Sequence, residues 1–168
     1  MGLVIVFLTA RFAGYDALPD PVGWGLAVAG LVPLRNRLPQ GDSLLALAVI
    51  AGLVSVPLVV PSLNDRLSPS GQWGVGVPQT AFCLLLSISL ATLAERAGDR
   101  EAARFGLLRT AYIVVLFLPV LVYGGGVKEL AIPTALLSVV SNVALVYYTF
   151  KVSRRPYVTE SAPAPSES

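Results

Sequence analysis

The sequence predicts an all-α fold, a polytopic transmembrane helical bundle of five to six spans. Three observations carry that expectation. Of the 168 residues, 13% are charged and 55% hydrophobic, against about 25% charged in a soluble domain. The charges gather in short clusters between long apolar runs, and those runs lack the polar face that a water-soluble helix needs. No run alternates apolar and polar residues in the way a membrane β-barrel strand does.

The elements follow from length. Crossing a ~30 Å hydrocarbon core takes about 20 apolar residues at ~1.5 Å each, and lipid leaves bare backbone groups unsatisfied, so each crossing should be helical. Residues 2–14 form the weakest segment, since they include Arg11 and reach only about 20 Å as a helix. No Lys or Arg precedes this run, so it lacks the basic start of a secretory signal and reads as a retained membrane segment. Residues 21–34 are also short; they must thin the bilayer or continue past Arg35 with that side chain snorkelling. Residues 43–60 come next, extendable through Leu63. Residues 73–93, 105–123 and 130–150 meet the length test fully.

Prolines and glycines punctuate these runs. Pro21 sits where a first helical turn begins and its missing N–H costs nothing. Pro57, Pro78, Pro119 and Pro133 lie a turn or more inside their runs, which predicts kinks. Gly124-Gly125-Gly126 predicts the stop of the fifth span. Past Lys151 the chain turns to Pro, Ser and Ala. The expected organisation is one transmembrane domain over residues 1–152 and a disordered cytoplasmic tail over 153–168.

Positive residues are held on the cytoplasmic side of a membrane. With six spans, one side receives Arg35 and Arg37, then Arg96, Arg100, Arg104 and Arg109, then Lys151, Arg154 and Arg155. The connections on the other side hold Arg66 and Lys128. Nine against two places both termini in the cytoplasm of a cell-membrane protein.

Composition and motifs exclude more than they name. A net charge of +2 with no basic amphipathic face argues against nucleic acid. There is no histidine and one cysteine, Cys83. A disulfide within the chain and a His/Cys metal cluster are therefore both excluded, and no cofactor is expected. A serine triad would need histidine, and "GVGVPQ" lacks the lysine and spacing of a phosphate loop. Asp99 and Glu101, flanked by Arg96, Arg100 and Arg104, read as a solvated helical turn. No carboxylate, lysine or arginine falls unambiguously at the membrane centre, which argues against a proton-driven pump.

What remains is a candidate polar site of Arg11, Asp16, Asp20 and Asn142. Asp20 before Pro21 suits an N-cap at the positive end of the helix dipole. Asp16, five residues after Arg11, suits a salt bridge pinning the first hairpin, or a cation or proton site reached from outside. Asn142, in mid-span, suits a hydrogen bond to a neighbouring helix, or a ligand contact. The small-residue pairs Gly25/Ala29 and Ser87/Ala91 predict close helix approach.

Arg11 followed by "DALPDPVGW" (residues 16–24) resembles a pattern in small uncharacterised multi-span membrane proteins of Gram-positive bacteria, in which D-x-L-P-D precedes an aliphatic-Gly-aromatic helix start. The resemblance covers residues 11–34. It implies a bacterial cell-membrane protein and supplies no activity. It also implies a fuller first helix, and hence a start site set too late here. The resulting expectation is a structural or accessory membrane subunit, not an enzyme, whose partners are the lipid bilayer and other membrane proteins or a second copy. The alternative is a small transporter or channel that uses the four polar residues as an outward-facing site. An enzyme acting on lipid is the third reading.

Overall fold

A computed structural model describes residues 11–12, 15–16, 20–57, 68–153 and 155. Most of the expected first span, the 58–67 connection and the tail beyond Arg155 lie outside the described residues.

Among the described residues, five helices follow a two-residue antiparallel ladder. In the ladder β1 (Arg11–Phe12) pairs with β2 (Tyr15–Asp16), with Arg11 opposite Asp16. Arg11 and Phe12 are thus extended where the sequence suggested helix, because two strands so close together satisfy one another's backbone groups. The helices are α1 (Asp20–Leu31), α2 (Gly41–Ser55), α3 (Pro69–Arg96), α4 (Glu101–Tyr123) and α5 (Ala131–Val152).

Three of them, α3, α4 and α5, are long and apolar enough to cross a membrane. These are the three runs that passed the length test in the sequence. The other two apolar runs became shorter helices. α1 has 12 residues and α2 has 15, about 18 and 22 Å at ~1.5 Å per residue. α1 gives way to a 3-10 turn, Val32–Leu34, because Pro33 has no N–H for the carbonyl four residues back and disfavours α geometry just before it.

Local chemistry sets the other ends. Ser68 caps α3, its hydroxyl accepting from the Gly71 N–H at 3.2 Å, with Pro69 in the first turn. Asp99 Oδ1 accepts the Glu101 N–H at 3.1 Å as α4 begins. Gly126, at φ +72°, closes α4 as the glycine triplet predicted. Gly41 opens α2 against the Arg35 carbonyl, whose carbon a Cβ on Gly41 would approach to 2.8 Å. Only glycine fits there.

The prolines behave according to depth. Pro78 and Pro119 lie inside α3 and α4 as expected. Pro133 falls in the first turn of α5, where it disrupts nothing, and Pro57 follows the end of α2. For those two the expected kink is instead a helix boundary.

Packing is serial. α1 lies against α2, α2 against α3, α3 against α4, α4 against α5, and α5 touches α3 lightly. α3 is the centre, with Phe82, Cys83, Leu86, Ser87, Leu90, Ala91 and Ala94 all buried. Trp24 of α1 meets Phe82 edge to face, with ring centroids 5.2 Å apart, and rests on Gly52 of α2. That anchor decides which face of α1 turns inward: Gly23, Trp24, Ala27 and Leu31 are buried, while Gly25 and Ala29 face outward. The expected close approach therefore holds for Ser87 and Ala91 but not for Gly25 and Ala29.

Two contacts bring the basic connections to one end. The Ser89 hydroxyl of α3 donates to the Pro39 carbonyl at 2.6 Å, tying the turn of Arg35 and Arg37 to the last turns of α3. Lys151 of α5 reaches Glu101 of α4 at 2.8 Å. Arg109 is not in the connection; it stands two turns inside α4, exposed. A helical side chain leans toward its own N-terminus, so Arg109 leans back toward that basic end.

Candidate functional site

At the end opposite the basic connections, α3, α4 and α5 enclose a cleft of about 250 Å³. α3 contributes Trp73, Gly76 and Thr80; α4 contributes Val115, Pro119 and Val122; α5 contributes Ala131, Thr134, Ala135 and Ser138. On each helix the lining runs over eight positions, 73 to 80, 122 to 115 and 131 to 138, so the cleft is about 10 Å deep at ~1.5 Å per residue step. Its residue types follow from helical spacing: small or hydroxyl side chains recur on one face of α3 and α5, opposite the valine and proline face of α4.

The cleft carries donors and acceptors: the Trp73 indole N–H and the Ser138 hydroxyl can donate, while two threonines are left to accept. Thr80 Oγ1 donates its hydrogen to the Gly76 carbonyl at 3.1 Å, and Thr134 Oγ1 to the Leu130 carbonyl at 2.6 Å. Each hydroxyl oxygen is left with lone pairs. Pro119 carries no N–H, so it provides none for the carbonyl of Val115 one turn before it.

Three to four residues deeper on each helix lie Cys83, Tyr112 and Asn142. The Tyr112 hydroxyl donates to Asn142 Oδ1 at 2.9 Å and neighbours the Cys83 thiol. This is the interhelical bond the sequence suggested for Asn142, and it supplies the partner that sequence reading left unnamed. Tyr112 carried no signal beyond being a phenol in an apolar run. Below this floor the seam is filled: Ser87 donates to the Cys83 carbonyl at 2.8 Å, and Phe105, Leu108 and Leu145 are buried.

A second cluster closes the basic end. Glu101 is 6% exposed and is the first residue of α4 and of its candidate membrane span. It binds Lys151 Nζ at 2.8 Å and Arg104 Nη1 at 3.0 Å. These two cations offset the cost of burying the carboxylate by charge and by hydrogen bonds. Arg104 also lies over the Tyr148 ring, 5.4 Å from its centroid, and Arg155 reaches Asp99 at 3.6 Å. The expectation of a solvated turn is therefore corrected for Glu101. Arg104 was visible at i+3, but the lysine that buries the group is fifty residues away in sequence. Arg155, expected as a topology anchor, is an ion-pair partner.

The remaining predicted site residues are placed as follows. Arg11 and Asp16 are directly opposite in the ladder, and Asp20 opens α1; the side chains of residues 11–20 lie outside the described set. Asn142 sits on α5, which packs against α4, while α1 packs against α2. Among the described residues, no three His, Cys, Asp or Glu side chains group in a way that could hold a metal. No protein-family model, curated protein or solved structure matches this chain.

Proposed function

We propose that this chain is a bacterial multi-span cell-membrane protein, with both termini cytoplasmic, that serves as a structural or accessory subunit and performs no catalysis. The observation that supports it most is the state of α5. Only 11% of its apolar window is buried, against 44% for α3. Ile132, Leu136, Val139, Val140 and Val143 leave a continuous apolar face that is exposed and without a partner among the described residues. A helix so lightly held by its own bundle is suited to packing against a neighbour in the bilayer. A photo-crosslinking residue at Val140 should give a discrete adduct in native membranes, with a second copy or another membrane protein. Lipid adducts alone would overturn the proposal.

The transporter reading keeps one observation in its favour, the cleft that opens opposite the basic end. The filled seam beneath Tyr112 and Asn142 weighs against a pore. Replacing Asp16 by Asn separates the two. A transport site loses flux with abundance intact, whereas a structural pair loses abundance.

A further inference from the structure

The cleft has a chemistry of its own, beyond any role in subunit packing. We propose that it is a binding site for a small uncharged polyol, entered from the side opposite the basic connections.

Charge comes first. Among the described residues, no Asp, Glu, Lys or Arg lines the cleft, so an ion drawn past the mouth would lose hydration without meeting a counter-charge from them. The occupant is neutral. The polar atoms then set its hydrogen bonding. The Thr80 and Thr134 hydroxyls have spent their hydrogens on backbone carbonyls, and Pro119 withholds a donor from the Val115 carbonyl. A guest that donates several hydrogen bonds satisfies these oxygens. A lipid chain would leave them facing hydrocarbon, which is costly.

Shape completes the argument. Trp73 lines the cleft from the first turns of α3, with Val122 and Pro119 among the apolar walls; aromatic and apolar surfaces suit the C–H groups of a polyol. The volume of about 250 Å³ equals about eight waters at ~30 Å³ each. That admits a guest of roughly ten non-hydrogen atoms. The Tyr112–Asn142 pair beneath stops deeper entry.

The test is titration of the full chain in mild detergent with xylitol, followed by tryptophan emission and by equilibrium dialysis of labelled xylitol. Trp24 is buried against Phe82, so the response should come from Trp73 and vanish in Trp73→Phe. The doubly altered Thr80→Val/Thr134→Val chain should bind roughly tenfold more weakly. Gly76→Leu guards against misfolding as an explanation, because a Cβ at Gly76 meets nothing within 4 Å and the rest of the side chain has the cleft to enter; it should fill the cleft and abolish binding, with a melting midpoint like the parent's showing that the chain is folded. Saturable binding lost in Gly76→Leu sustains the proposal. Three results would overturn it: no saturable signal and no retained label, Gly76→Leu binding like the parent, or tetramethylammonium or acetate displacing xylitol at equal concentration.

Discussion

The Tyr112–Asn142 bond offers the sharpest measure of how α4 and α5 hold together. Two neutral groups meet at 2.9 Å between helices. Interhelical polar contacts in membranes average about 0.6 kcal/mol and reach about 1.7, because the unfolded chain in lipid also finds partners. Tyr112 is 1% exposed, which places this pair toward the upper part of that range. Tyr112→Phe strips the donor and leaves the Asn142 oxygen without it, so it should cost about 1–2 kcal/mol. Asn142→Leu should cost about 1 kcal/mol by the same reasoning from the other side. The double variant removes both polar groups and should cost less than the sum of the singles by about 1 kcal/mol. Unfolding in mixed micelles, followed by a fluorescent pair on α4 and α5, gives all four free energies. A coupling of zero, or one of unfavourable sign, would refute the reading that this contact joins the two helices.

Three further outcomes follow from the geometry. Gly41→Ala should overlap the Arg35 carbonyl and cost more than about 2 kcal/mol as the turn between α1 and α2 shifts, visible as lost accumulation of the protein; Gly76→Ala, with open space around it, should not. Lys151 and Arg104 both bind the buried Glu101 carboxylate, so Glu101→Gln should cost about 1.5–3 kcal/mol, read as a lower melting midpoint than the parent in mild detergent. A reporter fused after Ser168 should be active only in the cytoplasm, and activity outside the cell would contradict the orientation.

Most of the architecture was readable because hydrocarbon thickness is a length gauge. The runs beginning near Trp73, Phe105 and Leu130 each exceed it and became α3, α4 and α5. The two shorter runs were read as spans too, but only their helical character is shown, and α1 and α2 remain short. Long-range partners were not legible. Nothing near Glu101 in sequence points to Lys151, and nothing near Asn142 points to Tyr112, because helical periodicity fixes which face a residue occupies and says nothing about which helix stands opposite. The cleft was hidden for the same reason. Thr80 and Ser138 were visible as polar positions within spans, yet their meeting depends on how α3 and α5 flank α4. The outward turn of Gly25 and Ala29 shows the complementary limit: spacing allows a close approach, and a single bulky anchor such as Trp24 decides otherwise.

Because each helix rests mainly on the one made just before it, the chain can bury its surfaces in the order in which the ribosome delivers them. Little has to wait for a distant partner, which keeps loop-closure cost and aggregation risk low during insertion. Exceptions among the described residues are the Asp99–Arg155 pair and Glu101, whose lysine emerges only when α5 is nearly complete. Until then its carboxylate has Arg104 alone beside it, so the final helix completes the charge balance of a hairpin already in place.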